Sequence, residues 1–429
     1  MNQKQLTTTC PACSLLCDDL VVSSDGSVET HGCEKAAAFF QIQTGSEPVH
    51  HVDGKPASLE LAVSNAVKIL NQSKAPLICG LEQMTTQAQQ IAWKIADQIG
   101  ATIDTTLTNQ GRSGLFSLQR VGSVTASLGE IAQRSDLVLF WFCDPEQTHP
   151  RLLERLGKSQ TKRQIVVVGE PRNLTAARAD QFLKIPADRA ADALSILRAQ
   201  LLGVKATAQI ESPQLIELAE LLKSASYGSI FYGQTDEDSA FDLANESLAA
   251  LIRTLNQSTR FVGMKLRIDS NAISAENVLA WSSGYAMAVN HAAKFPRSNW
   301  LEYSAETVLT RGECDAVLFA TAADLKTGMA GLSNVAQQHL ASIPRIAISP
   351  IENLPVEVSI ATGVAGINVG GELCRNDDVM MPLLPLATIG KMPTLESGKD
   401  PRQALDGSTA GIALQAIYEA LSELGSREK

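Results

Sequence analysis

Short apolar runs of strand length alternate with amphipathic helical segments along most of this chain. DLVLFWF and RQIVVVG are continuous apolar runs, and APLICG is a shorter one. Runs of this kind are typical of parallel strands covered on both faces of a sheet. The segments between them carry apolar residues at helical spacing. The alternation predicts an α/β fold built from two Rossmann-like, doubly wound α/β domains.

Two helices can be placed from their patterns. SLELAVSNAVKILNQS is amphipathic, and TTQAQQIAWKIADQIG is expected to end on its glycine. Further helix and strand patterns follow as far as the run DAVLFATAA, LSNVAQQHLASI and RIAISP, which indicates a second Rossmann-like set. The predicted apolar face of the first helix consists of Leu59, Leu61, Ala62, Ala66 and Ile69.

The length of 429 residues is too great for one small domain and predicts two or three with substantial cores. Residues 1–50 are predicted to form a cysteine-rich region of iron–sulfur type. Residues 51–150 and 290–429 are assigned together to one α/β domain. Residues 151–289 are assigned to a second, Rossmann-like domain.

Charge and hydropathy exclude two classes of partner. A formal net charge of −10 argues against nucleic acid, because phosphate binding needs clustered Lys and Arg. No apolar run is long enough to span a membrane. The first residues, MNQKQLTTTC, lack an apolar signal region and a twin arginine, so we expect a cytoplasmic protein.

Four cysteines near the N-terminus have the spacing of a ligand set. Cys10, Cys13, Cys17 and Cys33 read C-x2-C-x3-C-x15-C. Four thiolates suit a 4Fe-4S cluster, and tetrahedral zinc is the chemical rival. We favour iron–sulfur because zinc ribbons usually present two C-x2-C knuckles. Chance clustering of thiols and disulfide formation are the structural alternatives.

Other motifs point to structure. The remaining cysteines sit singly in or beside apolar runs and are expected to be core thiols; they are Cys79, Cys143, Cys314 and Cys374. The stretch GVAGINVGGELCRNDD lacks the order of a phosphate-binding loop, so its glycines are expected to shape turns. The histidines form no zinc-binding arrangement, and no G-x-S-x-G sequence occurs.

The segment CPACSLLCDD, followed by a short hairpin and the fourth cysteine, resembles the start of the B subunit of formylmethanofuran dehydrogenase. This family is part of the molybdopterin-dependent formate dehydrogenases, which have a formate dehydrogenase/DMSO reductase-like fold. There the cysteines hold a 4Fe-4S cluster that passes electrons to a tungsten or molybdenum pterin. The resemblance implies a cofactor-binding role for Lys35, which matches the family lysine between cluster and pterin. The alternative for Lys35 is a solvated side chain.

Four further segments resemble the same family in order, so the resemblance extends from Cys10 to about Leu384. They lie in the stretches SLQRVGSVTASLGEIAQRSDLVLFWFCDPEQTHPRLLERL, LRIDSN, WSSGYAMAVNHAAKFPR and GINVGGELCRNDDVMMPL. The matching residues are Leu128, Gly129, Glu130, Trp141, His149, Pro150, Arg151, Arg267, Asn271, Trp281, Gly284, Tyr285, Arg297, Arg375 and Asp377.

The resemblance breaks where the family binds its catalytic metal through a Cys-His pair. The corresponding stretch, TIDTTLTNQGRSG, contains neither residue, and Asn109, Gln110 and Gly111 stand in that place. A neutral amide cannot replace a soft thiolate ligand or transfer a proton as imidazole does. We therefore expect no catalysis and no molybdenum or tungsten pterin. Arg267 matches the arginine of that site, and it is either a remnant or part of a structural ion pair.

A retained fold with a lost active site resembles the B subunit of the formyltransferase/hydrolase complex of methylotrophic bacteria. That resemblance implies three partners: an amidohydrolase-type A subunit, the C subunit, and the formyltransferase subunit. One partner transfers a formyl group from formyl-tetrahydromethanopterin, and another hydrolyses it from a methanofuran-like carrier to yield formate. This chain would then be a non-catalytic scaffold in one-carbon metabolism, in which the cluster is retained as a structural element or lost.

Two other functions remain open from the sequence. The chain could be an active formylmethanofuran dehydrogenase B subunit with a molybdenum or tungsten pterin. It could also act alone as an electron-transfer or iron–sulfur storage protein. Function follows the site and not the fold, so metal content separates the first alternative from the scaffold.

Overall fold

The computed structural model describes residues 6–23, 25–42, 49–107, 113–157, 163–204, 213–233, 240–321, 329, 331–386 and 409–427. The chain divides into two compact units. Unit 1 comprises residues 1–109, 269–375 and 380–429, and unit 2 comprises residues 110–268 and 376–379. Unit 1 is therefore discontinuous in sequence, whereas unit 2 is almost entirely one continuous segment.

The strands and helices alternate along most of the chain, as the sequence predicts. The strands are β1 (Thr7–Thr8), β2 (Leu20–Val21), β3 (His50–Val52), β4 (Lys55–Ala57), β5 (Pro76–Cys79), β6 (Thr102–Ile103), β7 (Leu137–Trp141), β8 (Gln164–Gly169), β9 (Gln181–Lys184), β10 (Tyr227–Tyr232), β11 (Arg260–Lys265), β12 (Val289–Asn290), β13 (Arg297–Ser298), β14 (Ala316–Ala320), β15 (Arg345–Ser349), β16 (Val358–Ala361), β17 (Gly371–Cys374) and β18 (Met380–Leu383). The α-helices are α1 (Glu34–Phe40), α2 (Leu59–Gln72), α3 (Thr86–Ile99), α4 (Ser113–Val121), α5 (Leu128–Arg134), α6 (Pro145–Thr148), α7 (Leu152–Leu156), α8 (Ala190–Leu201), α9 (Pro213–Ser224), α10 (Ala240–Leu255), α11 (Ala272–Ser283), α12 (Trp300–Tyr303), α13 (Ala305–Arg311), α14 (Asn334–Ser342) and α15 (Thr409–Arg427).

Unit 1 is built on a sheet of nine described strands in the order β13-β12-β6-β5-β14-β15-β16-β3-β4. The five central strands, β6 to β16 in that order, are parallel. Short antiparallel strands flank them on both sides. Two apolar clusters pack on the sheet, one involving α2, α3 and α15 and the other α13 and α14. Coverage of both faces explains why the central strands are continuously apolar.

Helix α2 shows how far a sequence pattern fixes a buried face. Its N-cap Ser58 accepts a hydrogen bond from the backbone of Leu61. The predicted face was partly wrong, because Leu61 is 52% exposed. The residues that pack on the sheet follow helical spacing one position further along; they are Ala62, Val63, Ala66, Val67 and Leu70.

Helix α3 ends as predicted on its glycine. Gly100 adopts a φ of 72° and closes the helix by donating from its backbone to Ala96. A glycine adopts this left-handed conformation without the steric cost that a Cβ atom imposes. The chain then turns directly into β6.

Unit 2 contains a five-stranded sheet in the order β11-β10-β7-β8-β9, with every pair parallel. Read from β9, this is the strand order 3-2-1-4-5 of a Rossmann-type sheet, with β7 as the first strand. An apolar cluster joins the sheet to helices α8, α9 and α10. The predicted class, α/β with parallel sheets, is thus found in both units.

The domain boundaries differ from those that the sequence predicted. The predicted break at 150/151 lies inside unit 2, because β7 pairs with both β8 and β10 at the centre of that sheet. The predicted break at 289/290 lies inside unit 1, because α11 packs against α3. Residues 1–50 are grouped with unit 1 and not as a separate domain. Among the helices that the structure describes, none has the length and hydropathy needed to cross a membrane.

Candidate functional site

The N-terminal cysteine segment is a loop between two short paired strands. β1 and β2 pair antiparallel, and the loop between them carries Cys10, Cys13 and Cys17. The backbone N–H of Cys10 donates to the carbonyl of Cys17 across 2.8 Å. Leu16 lies within this loop at a φ of 40° and donates to the carbonyl of Cys13. A leucine rarely adopts a positive φ, so the surrounding contacts must hold this turn.

The fourth cysteine approaches from the next element. Cys33 is the residue immediately before α1, and its backbone N–H donates to Thr30. A bridge between Val22 and Val28 forms the intervening turn. All four cysteines are buried. The sequence therefore places four thiols from two separate turns in the interior of unit 1.

Burial and mutual proximity make these thiols hard to ionise. Burial, together with the charges that Cys13, Cys17 and Cys33 would carry, raises the pKa of Cys10 to about 12. Burial also raises the pKa of Cys13, while the ammonium group of Lys35 lowers it. The side chain of Lys35 therefore acts electrostatically on a member of the cysteine set. A bound cation would reverse this pattern, because metal ligation stabilises thiolates.

The donor set fits a metal by its chemistry, since four thiols are what a 4Fe-4S cluster or a structural zinc requires. The positions of the four side chains, however, do not form a metal site. Across the residues that the structure describes, no three His, Cys, Asp or Glu side chains are placed to hold a metal ion. The metal-ligating role of the four cysteines thus stays a prediction.

The cysteine loop is packed against the glycine-rich stretch near the C-terminus of unit 1. Gly366 has a φ of 87°, and a Cβ atom there would lie 3.2 Å from the Cγ atom of Pro11. The same stretch turns through the hydrogen bond from Gly366 to Val369 before β17 begins. These glycines shape a turn, as the sequence predicted, and one of them leaves room for the loop that carries the cysteines.

The Cys-His pair of the family is replaced in the sequence by Asn109, Gln110 and Gly111. These three positions lie outside the described residues. The segment leading to them is fixed by Asp104, which is 0% exposed. Its carboxylate accepts hydrogen bonds from the backbone of Thr105, Ala288 and Ala305 at 3.0, 3.2 and 2.7 Å. A carboxylate that accepts three N–H groups can stay buried. Sequence reasoning missed Asp104, because nothing in the pattern around it distinguishes it from a surface aspartate.

The backbone of Arg267 is held on both sides, just beyond the end of β11. Its N–H donates to the side-chain oxygen of Asn376 at 3.2 Å, and the amide of Asn376 donates to the carbonyl of Lys265 at 2.6 Å. The carbonyl of Arg267 accepts from His149 Nε2 at 2.9 Å. Two residues in segments that resemble the family thus meet inside unit 2. The structure thus fixes the backbone of Arg267, and the role of its side chain stays a prediction.

Asn271 is a structural residue of unit 1. Its side chain donates to the carbonyl of Met84 at 2.7 Å and accepts from the backbone of Cys374 at 2.6 Å. It is 0% exposed, and its own carbonyl accepts from the side chain of Gln89. Both polar ends of the amide are therefore used to join three separated segments.

Other residues that match the family also join elements within one unit. In unit 2, Asp377 accepts from the backbone of Leu128 at the start of α5, and Glu130 accepts from the hydroxyl of Tyr227. Arg151 is buried and makes a two-pronged contact with Glu154. Such contacts position backbone and carry no chemistry of their own.

The third matching segment differs, because part of it faces solvent. Trp281 is 64% exposed and Tyr285 is 41% exposed. Gly284 ends α11 between them with a φ of 84°. The guanidinium of Arg297 lies 5.7 Å from the ring centroid of Tyr303.

Comparison with solved structures first defines the class of the fold. Acetylene hydratase from Pelobacter acetylenicus matches with a TM-score of 0.59 at 12% identity, covering 96% of this chain and 70% of that one. At this identity the match shows the fold alone. The protein therefore shares the α/β fold of that chain. No family model matches the chain.

Two further comparisons identify relatives. The B subunit of tungsten-containing formylmethanofuran dehydrogenase 2 from Methanocaldococcus jannaschii is 29% identical over 402 residues, which is 87% of this chain and 92% of that protein. The protein of the same name from Methanococcus maripaludis is 28% identical over 405 residues, with the same coverage. The chain is thus a homologue of the formylmethanofuran dehydrogenase B subunit, and the resemblance predicted from its motifs is confirmed.

A third relative is also a structural neighbour. The B subunit of the formyltransferase/hydrolase complex Fhc from Methylorubrum extorquens is 27% identical over 387 residues, covering 87% of this chain and 98% of that protein. A chain of the crystal structure of that complex (FhcABCD) with methylofuran matches with a TM-score of 0.69 at 25% identity. The match covers 88% of this chain and 99% of that one.

Proposed function

We propose that this chain is a structural, non-catalytic subunit of a formyltransferase/hydrolase complex. The observation that carries the proposal is the structural match to a chain of the Methylorubrum extorquens complex. The match covers 99% of that chain. A chain with this whole fold can present partner-binding surfaces at the corresponding positions. The sequence supplies the second reason, since Asn109, Gln110 and Gly111 replace the Cys-His pair of the redox enzyme.

The role of such a scaffold is to hold catalytic partners in one assembly. We propose an amidohydrolase-type A subunit, the C subunit, and the formyltransferase subunit as those partners, in the cytoplasm. Together they would convert a formyl group carried on tetrahydromethanopterin to formate through a methanofuran-like carrier, within the oxidation of formaldehyde. Obligate interfaces of this kind bury roughly 2,000 Å² or more.

The proposal assigns the cysteine segment a structural part. Without a pterin to receive electrons, a cluster on Cys10, Cys13, Cys17 and Cys33 would serve to tie the N-terminal loop to the turn before α1. Metal binding of that kind contributes folding energy where little apolar core exists. Lys35 would then stabilise thiolate character at Cys13, and no molybdenum or tungsten pterin is bound.

One other function has a specific observation in its favour. Two relatives that are 29% and 28% identical carry the name tungsten-containing formylmethanofuran dehydrogenase. An active redox enzyme would need a metal ligand at residues 109–111, where the sequence offers amides and a glycine. Soft metals in this chemistry require thiolate or a similarly strong ligand.

Co-purification tests the proposal. The full chain, tagged and produced with the candidate partner proteins, should elute with a hydrolase and a formyltransferase in fixed stoichiometry. Supplied with a methanofuran-like carrier as formyl acceptor, the purified complex should release formate from formyl-tetrahydromethanopterin, and it should contain no molybdenum or tungsten by elemental analysis.

Two outcomes would overturn the proposal. One is a monodisperse chain that associates with neither partner. The other is stoichiometric tungsten or molybdenum together with viologen-linked formate oxidation. A matched variant, Asn109→Ala, should leave formate release unchanged, because the amide takes no part in the reaction.

A further inference from the structure

The strand order of unit 2 defines where a cofactor would bind. The chain leaves β7 toward β8 on one side, and β10 lies on the other side. This is the point at which strand order reverses, and open α/β sheets bind ligands in the crevice outside the strand ends there. In dinucleotide-binding sheets the turn after the first strand is rich in glycine, so that backbone N–H groups and a helix N-terminus approach the diphosphate.

The corresponding turn of unit 2 contains no glycine. Residues 142–148 read Phe-Cys-Asp-Pro-Glu-Gln-Thr. Phe142, the first residue after β7, has a φ of 45° and is buried. Its ring lies edge-on to that of Trp141, with centroids 5.4 Å apart. A bulky residue in the left-handed region is strained, and here the turn carries a benzyl group that is buried in the apolar cluster of unit 2, where a phosphate-binding turn carries glycine.

The two turns that border the crevice touch each other. Gly233 directly follows β10, and a Cβ atom built on it would lie 2.7 Å from the Cβ atom of Cys143. The thiol of Cys143 donates to the carbonyl of Phe231 at 3.4 Å. The side chain of Cys143 is buried. The chain's own atoms therefore occupy the space between the ends of β7 and β10.

The backbone donors at the start of α6, within this turn, are already used. Pro145 has no N–H, and the N–H of Glu146 donates to the hydroxyl of Thr175 at 3.1 Å. The next two N–H groups, of Gln147 and Thr148, donate to the carbonyl of Asp144. The helix that begins here thus has no free donor in its first turn for an anion, in contrast to a phosphate-binding helix start.

The charge of the turn opposes an anion as well. The carboxylate of Asp144 accepts from the backbone of Leu174 and Thr175 at 2.6 and 3.0 Å. Glu146 pairs with Arg178 at 3.0 Å. A diphosphate entering this turn would meet two carboxylates, and the nearby guanidinium of Arg178 is already engaged.

We propose that the turn Phe142–Thr148 excludes the diphosphate of a nucleotide- or pterin-type cofactor from the crevice of unit 2. The bulk of Phe142 where such a turn needs glycine, the contact of Cys143 with the turn after β10, the used donors of α6 and the charge of Asp144 act together. The inference deepens the proposed function, on which it rests for the expectation that the protein carries no such cofactor.

Thiol alkylation of the native full chain tests the closure, with GDP and inorganic pyrophosphate as separate probes at millimolar concentration. Cys143 should remain unmodified by iodoacetamide with or without either probe. Cys79, which is fully buried in unit 1, serves as an internal control for global unfolding. Hydrogen exchange of residues 142–148 should likewise show no change when a probe is added.

A variant that keeps the thiol provides the matched test. Phe142→Gly with Asp144→Asn removes bulk and charge, so Cys143 should alkylate faster and GDP should slow that reaction. If this variant loses its fold, the wild-type measurements alone decide the question.

Rapid alkylation of wild-type Cys143 that GDP suppresses, or probe-induced protection at residues 142–148, would overturn the inference. Binding elsewhere in the chain that leaves both readouts unchanged supports it. If a probe protects residues 142–148 while the partner proteins still co-purify, this inference is wrong and the proposed function stands. If the partner proteins do not co-purify while Cys143 stays unreactive, the proposed function is wrong and this inference stands.

Discussion

The Nε2 atom of His149 lies 2.9 Å from the carbonyl oxygen of Arg267. Because a carbonyl can only accept, Nε2 carries the proton and donates it. The other ring nitrogen faces the hydroxyl of Thr148 at 2.9 Å. His149 is 1% exposed, so the imidazole joins the end of α6 to the segment after β11 from inside unit 2. The histidine of the stretch that matches the family is thus a structural donor in this chain.

Replacing His149 with alanine should lower the free energy of unfolding. The carbonyl of Arg267 would lose its buried donor, and such a loss costs about 1–3 kcal/mol. His149→Gln offers an N–H at a similar distance and should recover part of that loss. Urea denaturation of both variants measures the difference. Equal stability of His149→Ala and wild type would show that the contact contributes nothing.

Asn271→Ala should be more disruptive than most single substitutions in unit 1. It removes the side-chain acceptor of the Cys374 backbone N–H and one of the two donors to the carbonyl of Met84, which keeps its bond from Gln89, at a cost of about 1–3 kcal/mol. Gln90→Ala, on an exposed face of α3, is the control and should change stability by less than about 0.5 kcal/mol. Urea unfolding monitored by tryptophan fluorescence compares the two, and similar midpoints would contradict the prediction.

A buried histidine should make unit 1 less stable in mild acid. Burial lowers the pKa of His291 below its ordinary 6.5, and hydrogen bonding to Asp97 at 3.1 Å only partly opposes this effect. Between the folded pKa and 6.5 the unfolded chain binds more protons. Stability is therefore complete above pH 6.5 and is lost as pH falls through the folded pKa, by at most about 1.4 kcal/mol per pH unit.

The contribution of His291 is measured by comparing how steeply the free energy of unfolding changes with pH in two proteins. Urea unfolding of wild type and His291→Phe across the range from neutral to mildly acidic pH gives two curves. His50, whose pKa burial also lowers, contributes equally to both, so the difference belongs to His291. The variant curve should be flatter, and parallel curves would refute the assignment.

The cysteine set should bind iron. Anaerobically purified protein is expected to be brown with about four irons per chain. Cys13→Ser should bleach it and expose the first 50 residues to proteolysis, since the loop would lose its cross-link while both α/β cores persist. Iron analysis, visible absorption and limited proteolysis measure these effects. Cys374→Ala, a buried cysteine outside the set, is the control and should keep its iron.

Two other outcomes of the metal analysis would contradict iron binding. A colourless protein with one zinc per chain would assign the four thiols to a structural zinc site. A metal-free protein whose N-terminal segment resists proteolysis would show that packing of Pro11 against Gly366 is sufficient to order the loop.

The sequence predicted what depends on local pattern. The buried strands, the end of α3 at Gly100 and the burial of Cys79, Cys143, Cys314 and Cys374 follow from apolar runs and from the conformational freedom of glycine. The motifs of the sequence were sufficient to identify the family of its homologues. The exposed Leu61 shows the limit of helical periodicity, which locates a face only to within about one residue.

What the sequence could not predict depends on long-range pairing. β7 was assigned to the wrong domain because its apolar run fits the centre of either sheet, and only its pairing with β10 decides between them. Asp104 escaped notice for the same reason, and Asn271 was identified only by family resemblance, without its partners. Their partners, such as Ala305 and Cys374, lie more than 100 residues away, and a single polar residue carries no periodic signal.

The discontinuity of unit 1 has a consequence for biosynthesis. Cys79 on β5 pairs with Phe319 on β14, and the whole of unit 2 is synthesised between them, apart from residues 376–379. Unit 2 can assemble its sheet from one continuous segment, whereas the N-terminal part of unit 1 must wait on the ribosome with the edge of β5 unpaired. Long-range parallel pairing is slow, and an unpaired apolar edge invites misassociation. The nascent chain should therefore depend on chaperones until residues 316–361 have emerged, and truncation before β14 should yield a folded unit 2 preceded by an aggregation-prone N-terminal segment.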